Sequence, residues 1–434
     1  MNSVIILITA VVVLASLIHT YRNPWFGFVC ALLVYGYEQW TFAHSSFFVR
    51  NPQLMNLAAG VIALVGLFSV YRTKPRSLAL LPTSYFLSGA FYILSIASYF
   101  WAVSPTTTVE HFTQWLPYIV LYVFICPLLI TCTDDFEKSC RAFVLIGAGL
   151  LALLAFTTQT VGRGQAVVGT DTTINPLCAA TLGGQLSIIA ILTCFRDRTQ
   201  AWLILRIVVM ILALYICVRS GSRGQLLGIA IVVPYFLYVS RQNAGSSRVI
   251  ALLVLLSIAA YFIVSVALPD IQASQTRWTI DAYRQTRGEM SKYMIEAWHR
   301  EGGAAYLIGL GSNASSSSRY LGYYPHVTVV QALTELGIVG LIAWISIIAK
   351  GTFDYRSELV VAGKSIERRS TICCLGALMC YEFILTFKQY DMLINVNVLM
   401  FSIIIGRSAI ARQSSTKRIF SSEYALTRPV SASA

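Results

Sequence analysis

His326, Gln331 and Glu335 are the residues whose types and placement first suggest chemistry. They stand where a polar Gly/Ser-rich stretch, Gly309 to Pro325, runs into an apolar one. A histidine and a carboxylate at the mouth of a hydrophobic span are costly, and such groups usually line a site or a water-filled cavity. A neutral imidazole there can take a proton from a hydroxyl, and a protonated one can steady a leaving phosphate. Thr328, Gln331 and Glu335 recur at three and four residues, which places one polar stripe on a helix. The bland alternative has His326 capping that helix and Glu335 bonding a neighbouring one. The other histidines, His19, His44, His111 and His299, read as structural or exposed. No second histidine or acidic cluster has ligand spacing, so neither a metal nor a cofactor is expected.

Arginines are the natural partners of such a histidine. In RSGSRGQLLG, Arg219 to Gly228, Gly221 and Gly224 permit a tight turn between two apolar stretches. Ser222 and the first amides of the following helix then point outward, and Arg223 sits at a helix N-terminus where the dipole adds to its charge. That arrangement suits a phosphate or diphosphate; a snorkelling interfacial arginine is the plain alternative. Arg163 lies in another glycine-bearing loop with Asp171 nearby, and an Arg–Asp pair closing a turn explains it as well. Arg277, Arg284 and Arg287 recur at seven and three, sharing one face if helical, as either a solvated basic face or an anion-binding one.

Elements that position these residues must cross a membrane. The 434 residues are 56% hydrophobic and 12% charged, with mean hydropathy +0.68. Apolar runs long enough to span a bilayer as helices fall at 3–19, 25–40, 52–71, 79–102, 114–131, 141–161, 175–195, 201–217, 224–240, 249–268, 327–349, 370–387 and 392–410. Period-two alternation is absent, which argues against a barrel. The expected fold class is therefore all-α, a polytopic membrane protein of about twelve or thirteen helices, since 25–40 is short and could be re-entrant. The ten cysteines form neither a disulfide framework nor a CxxC pattern. The N-terminal stretch lacks a basic n-region and a cleavage site, and is expected to be a retained span.

The net charge of +13 would suggest nucleic acid in a soluble chain, but most basic residues here sit in short loops and orient the spans. With 71–77, 132–140, 196–200, 241–248 and 350–369 inside, the outer-side exceptions concentrate at Arg163, at Arg219/Arg223 and in the loop 269–326. That loop is too long for a simple connection, and its centre carries Trp278, Tyr283, Met290, Tyr293, Met294 and Trp298 at near-helical spacing. Amphipathic helices on the outer face are expected there, followed by a mobile connector over 313–318. The division that follows is a membrane core over 1–268, the outer loop 269–326, further spans over 327–410, and a tail 411–434 expected to be disordered.

The order of these features resembles the O-antigen ligase and O-antigen polymerase superfamily of bacterial envelope glycosyltransferases. The matching residues are Ser222-Arg223-Gly224 opening a span, Arg287 leading an amphipathic segment to Gly309-Leu310-Gly311, and a helix with His326, Gln331, Glu335, Gly337 and Gly340. Val327 stands where asparagine often follows the histidine. The resemblance implies an inverting, metal-independent transfer of a glycan from undecaprenyl diphosphate to an acceptor hydroxyl. The acceptor would be a glycan, lipid A-core or a protein, at the periplasmic face of a bacterial inner membrane. It implies Arg223 and Arg287 as diphosphate ligands and His326 as base or acceptor-orienting group, with Arg219, Arg163, Arg277, Arg284, Ser222, Gln331 and Glu335 as weaker additions to the diphosphate- or glycan-binding set. Ligase is favoured narrowly over polymerase. A transporter of anionic or lipid-linked solutes is the reading from a different class; no internal repeat supports it.

Overall fold

The computed structural model describes residues 2–157, 160–161, 165–168, 172–173, 176–193, 199–220, 222–240, 287–363, 365–389 and 391–426. These are overwhelmingly helical, and the chain is an all-α polytopic membrane protein. In lipid only a helix or a closed barrel satisfies its own backbone, which is why the apolar runs become helices. Six described helices are long and apolar enough to cross a membrane: Asn2–Arg22, Gln53–Thr73, Pro105–Leu129, Thr133–Phe156, Gln200–Arg219 and Thr328–Ala362. Leu177–Leu192 and Gly224–Ser240 are shorter apolar helices. Trp25–His44, Thr83–Ala97, Ile366–Leu385 and Val396–Leu426 occupy the remaining expected positions. The expected span 249–268 lies outside the described residues.

Burial separates central helices from peripheral ones. The first half of Val396–Leu426 is buried almost throughout, including Val398, Leu399, Phe401, Ile403 and Ile404. Asn2–Arg22 instead exposes Val4, Leu7, Val11 and Leu14, the pattern of a lipid-facing helix. The Val396–Leu426 helix continues past 410 into the stretch whose composition suggested disorder. One feature is not helical: Thr160–Val161, Gln165–Val168 and Thr172–Thr173 form a three-stranded antiparallel ribbon in the order β1-β2-β3. The Pro105–Tyr118 helix contains Pro117, which donates no amide hydrogen, and it continues as a π-helical turn over Ile119–Ile125.

The feature that shapes the site is a break in the Thr328–Ala362 helix. Gly337 adopts φ 69°, ψ −168°, outside helical space. An intact helix would use the carbonyls of Thr334 and Glu335 four residues on. Here they accept from Leu310 N and Gly311 N, both at 2.9 Å. The Gly309–Gly311 segment thus runs directly against the break. A Cβ on Gly337 would lie 2.2 Å from Leu307 O, and one on Gly309 (φ 74°) 2.2 Å from the Glu335 carbonyl carbon. Two glycines are needed because two backbones touch.

Gly337→Ala should therefore destabilise the fold by about 2–4 kcal/mol, from left-handed strain plus a backbone clash. A drop of several degrees in the thermal midpoint of the detergent-solubilised protein is the expected result. Gly60→Ala, at a helical glycine with nothing within 4 Å of the added carbon, should leave that midpoint unchanged or slightly higher.

Candidate functional site

Glu335 is fully buried two turns into the long helix, just before its break. Its carboxylate accepts from Asn313 N at 2.6 Å, from Ser315 N at 3.1 Å and from the Ser315 hydroxyl. Charge-assisted bonds of this kind are the strong ones, and they hold the loop after Gly311 against the helix. Ser98 Oγ accepts from Ser312 N at 2.8 Å, Thr108 Oγ1 donates to Ser312 O at 2.8 Å, and Asn313 Nδ2 donates to Thr107 O at 3.2 Å. The stretch 313–318, whose sequence suggested a mobile connector, is anchored through Asn313, Ala314 and Ser315, all buried. Glu335 serves as the anchor of a loop; neither a bond to a neighbouring helix nor a role in chemistry is needed to explain it.

Gln331, one turn earlier and also fully buried, carries the network onward. Its Nε2 donates to Asp391 Oδ2 at 2.6 Å and lies 3.3 Å from Glu335 Oε1, while its Oε1 accepts from Met392 N at 2.9 Å. Asp391 in turn accepts from Leu393 N at 2.8 Å and faces His111 Nε2 at 3.3 Å, an ion-pair contact without hydrogen-bond alignment. Asp391 and His111 were not among the residues the sequence singled out. The available signal was an acid in the short turn between two apolar spans, the same costly placement that drew attention to His326. Thr328 ties the turn down further: its amide donates to Thr386 O at 2.9 Å and its hydroxyl accepts from Asn395 Nδ2 at 3.4 Å.

His326 stands at the lip of this network with φ 59°, one of two described non-glycine residues in left-handed space. Its ring packs against Tyr324 at a tilt of 59°, with centroids 4.2 Å apart. Burial and the nearby Arg287 guanidinium hold the imidazole below its ordinary pKa, with Asp391 pulling the other way. Burial and Asp391 raise the Tyr324 phenol, and Arg287 opposes them. Arg287, His326, Tyr324 and Asp391 therefore share one electrostatic environment. Arg287 begins the segment that leads into the amphipathic helix Glu289–Glu301, whose buried Met290, Met294 and Ala297 seat it on the protein.

The remaining candidates fare differently. Arg163, Arg277 and Arg284 lie outside the described residues, as does the side chain of Arg223, although the helix it opens, Arg223–Ser240, is described. Arg219 donates to Ala155 O at 3.2 Å and packs over the Tyr215 ring. Ser222 is buried at 1% exposure, and its hydroxyl makes no hydrogen bond. His299 is bonded to Tyr306 Oη at 2.7 Å on the surface. At the far end of the long helix, a cavity of about 420 Å³ is lined by Arg368, Arg412, Glu137 and Glu367 among others. Both arginines pair with Glu358 there, at 3.3 and 2.7 Å, so their charge is met within the protein. Among the described residues no group of three or more His, Cys, Asp or Glu side chains gathers as a metal site.

Residues 208–345 match the family described as O-antigen ligase. The match runs through Arg219, Ser222, Arg223, Arg287, His326, Gln331 and Glu335, and it supports membership of the O-antigen ligase and polymerase superfamily. It ends before the turn that carries Asp391. No curated protein matches the chain.

The depressed imidazole gives a pH-dependent expectation. Reaction of His326 with diethyl pyrocarbonate, followed by peptide mass spectrometry, should titrate below the ordinary histidine range of about 6.5. Arg287→Met should move that midpoint upward by removing a like charge. The sign for stability follows: as pH falls through about 6.5 the unfolded chain takes up this proton first, so the His326 contribution weakens on acidification. A midpoint unaffected by Arg287→Met would separate the two residues.

Proposed function

We propose that this protein transfers a glycan from undecaprenyl diphosphate to an acceptor hydroxyl at the periplasmic face of the membrane, as an O-antigen ligase. The observation that carries this reading is that Arg287 and Asp391 both act electrostatically on the His326 imidazole where the broken helix begins, with Asp391 fixed by Gln331. The acceptor oxygen attacks the anomeric carbon from the face opposite the diphosphate. The new C–O bond forms as the bond to the diphosphate oxygen breaks, which inverts the centre. The acceptor proton passes to His326, whose depressed pKa keeps the imidazole neutral and able to receive it. Asp391 acts against Arg287 on that ring and so favours its protonated form.

Electron density leaves on the diphosphate, where preorganised cations have most effect. Arg287 and Arg223 are assigned to that charge, with Arg219, Arg163, Arg277 and Arg284 as peripheral contributors to the donor. Gln331 and Glu335 position the groups around them without meeting the substrate. Asp391 is held by one amide side chain and one backbone N–H, so its orientation is set before any substrate arrives.

The test uses purified full-length protein, an undecaprenyl-diphosphate oligosaccharide, and lipid A-core added or withheld. Product formed only when lipid A-core is present is the expected result. Lengthening of the lipid-linked glycan without it would replace the ligase reading by a polymerase, and no product under either condition would overturn the O-antigen ligase reading. Arg223→Ala, Arg287→Ala and His326→Ala should each lower transfer by about 100-fold or more while the protein still inserts. His299→Ala should leave it near normal. Near-normal transfer by all three variants would sink the assignment.

A further inference from the structure

His111 stands on the Pro105–Tyr118 helix, outside the stretch 208–345 that matches the ligase family. Its Nε2 lies 3.3 Å from Asp391 Oδ2, the same oxygen that accepts from Gln331 Nε2 at 2.6 Å. Leu393 N donates to the other carboxylate oxygen at 2.8 Å, so the acid is held in one orientation. The Asp391 side chain is 1% exposed and that of His111 17%, and charges so shielded are screened little by salt. His111 Nε2 is buried and makes no aligned hydrogen bond, so the contact acts through charge.

Asp391 also acts on the His326 imidazole, against Arg287. One carboxylate is thus shared by two imidazoles that are distant in the chain. Among the described residues, the acids acting on His111 are Asp391, from the turn, and Glu335, from the broken helix; Glu110 on its own helix is exposed. Those acting on His326 are Arg287 and Asp391, with the Tyr324 ring packed against it. Tyr92, on the Thr83–Ala97 helix, acts with Asp391 as well. Groups that share a charge titrate together, so the field one imidazole meets from Asp391 depends on whether the other holds a proton. A cation at His111 cancels part of that field and leaves Arg287 the stronger influence on His326.

We infer that His111 is a positioning residue for the transfer reaction: as a cation paired with Asp391, it offsets the carboxylate charge that acts on the His326 imidazole and keeps that ring ready to take the acceptor proton. This rests on the glycan-transfer reading above.

The experiment follows the diethyl pyrocarbonate midpoint of His326 by peptide mass spectrometry, and the pH profile of kcat/KM, in the full-length protein. His111→Gln removes the cation and leaves Asp391 unopposed by it. The His326 midpoint should then rise by roughly 0.5 to 1 pH unit, and the acid limb of kcat/KM should move up with it. His111→Lys keeps a cation beside Asp391 and should return both toward the wild-type values. An unmoved midpoint in folded His111→Gln overturns the inference. So does an equal rise in His111→Gln and His111→Lys, which would assign the effect to packing. Should His111→Gln fail to fold, His111→Asn takes its place with the same expectations. Shifted midpoints in a protein that transfers no glycan would overturn the transfer reading and leave the coupling of the two histidines standing. Normal transfer with an unmoved midpoint in His111→Gln removes the inference alone.

Discussion

Everything around His326 depends on two carbonyl groups that a helix gives up. When the Thr328–Ala362 helix breaks at Gly337, Thr334 O and Glu335 O lose their helical partners in an apolar setting. Unpaired backbone groups there cost several kcal/mol each, so the break persists only because another backbone supplies donors. Leu310 and Gly311 supply them, and that requirement brings the loop before His326 down onto the helix. Once the loop is there, the Glu335 carboxylate is enclosed by the amides of Asn313 and Ser315 and needs no water. The loop end that carries His326 then returns to the start of the same helix. The histidine is therefore fixed from both sides of one short circuit of chain.

A second constraint comes from the turn between the last two helices. Asp391, Met392 and Gln389 reach Gln331 on one side and Gln225 on the other, each through a buried amide side chain. Amides suit this task because each offers donors and an acceptor, so a buried chain of them can be fully satisfied. The result joins the helix that opens at Arg223 to the helix that follows His326, although more than a hundred residues separate them in sequence. Neither end would hold its register if the turn were free to move.

The parts legible in the sequence were those that lipid makes expensive. Apolar length placed the helices, and His326, Gln331 and Glu335 stood out because polar groups inside a span need a reason. The parts that were not legible depend on partners distant in the chain. Asp391 sits in a short turn between two spans, where an acid is a signal, but its partners Gln331 and His111 come from distant parts of the chain. His111 lies beside Glu110 on what reads as an amphipathic helix end, and only the fold brings it to Asp391. The run Asn313 to Ser318 has no hydrophobic period and looked mobile, because its order is supplied by a carboxylate on another element. The break at Gly337 was hidden for the same reason: a glycine in an apolar helix signals nothing until a second backbone is found against it.

These placements bear on how a displacement reaction can be run at a membrane surface. Attack and departure must lie on opposite faces of one carbon, so the group receiving a proton and the groups receiving negative charge must be held apart, yet at a fixed distance. Loops anchored only in solvent would let that distance drift, and small errors in reacting geometry are costly in rate. Here His326, the proposed proton acceptor, leads directly into the broken helix. The buried amides Gln331 and Gln225, bridged by one turn, set the separation between that helix and Arg223–Ser240. Arg287 enters from the amphipathic segment Glu289–Glu301, which packs on the loop through Met294, Leu310 and Ala314. Among the described arginines of the group, it is thus one delivered by a segment packed over that loop.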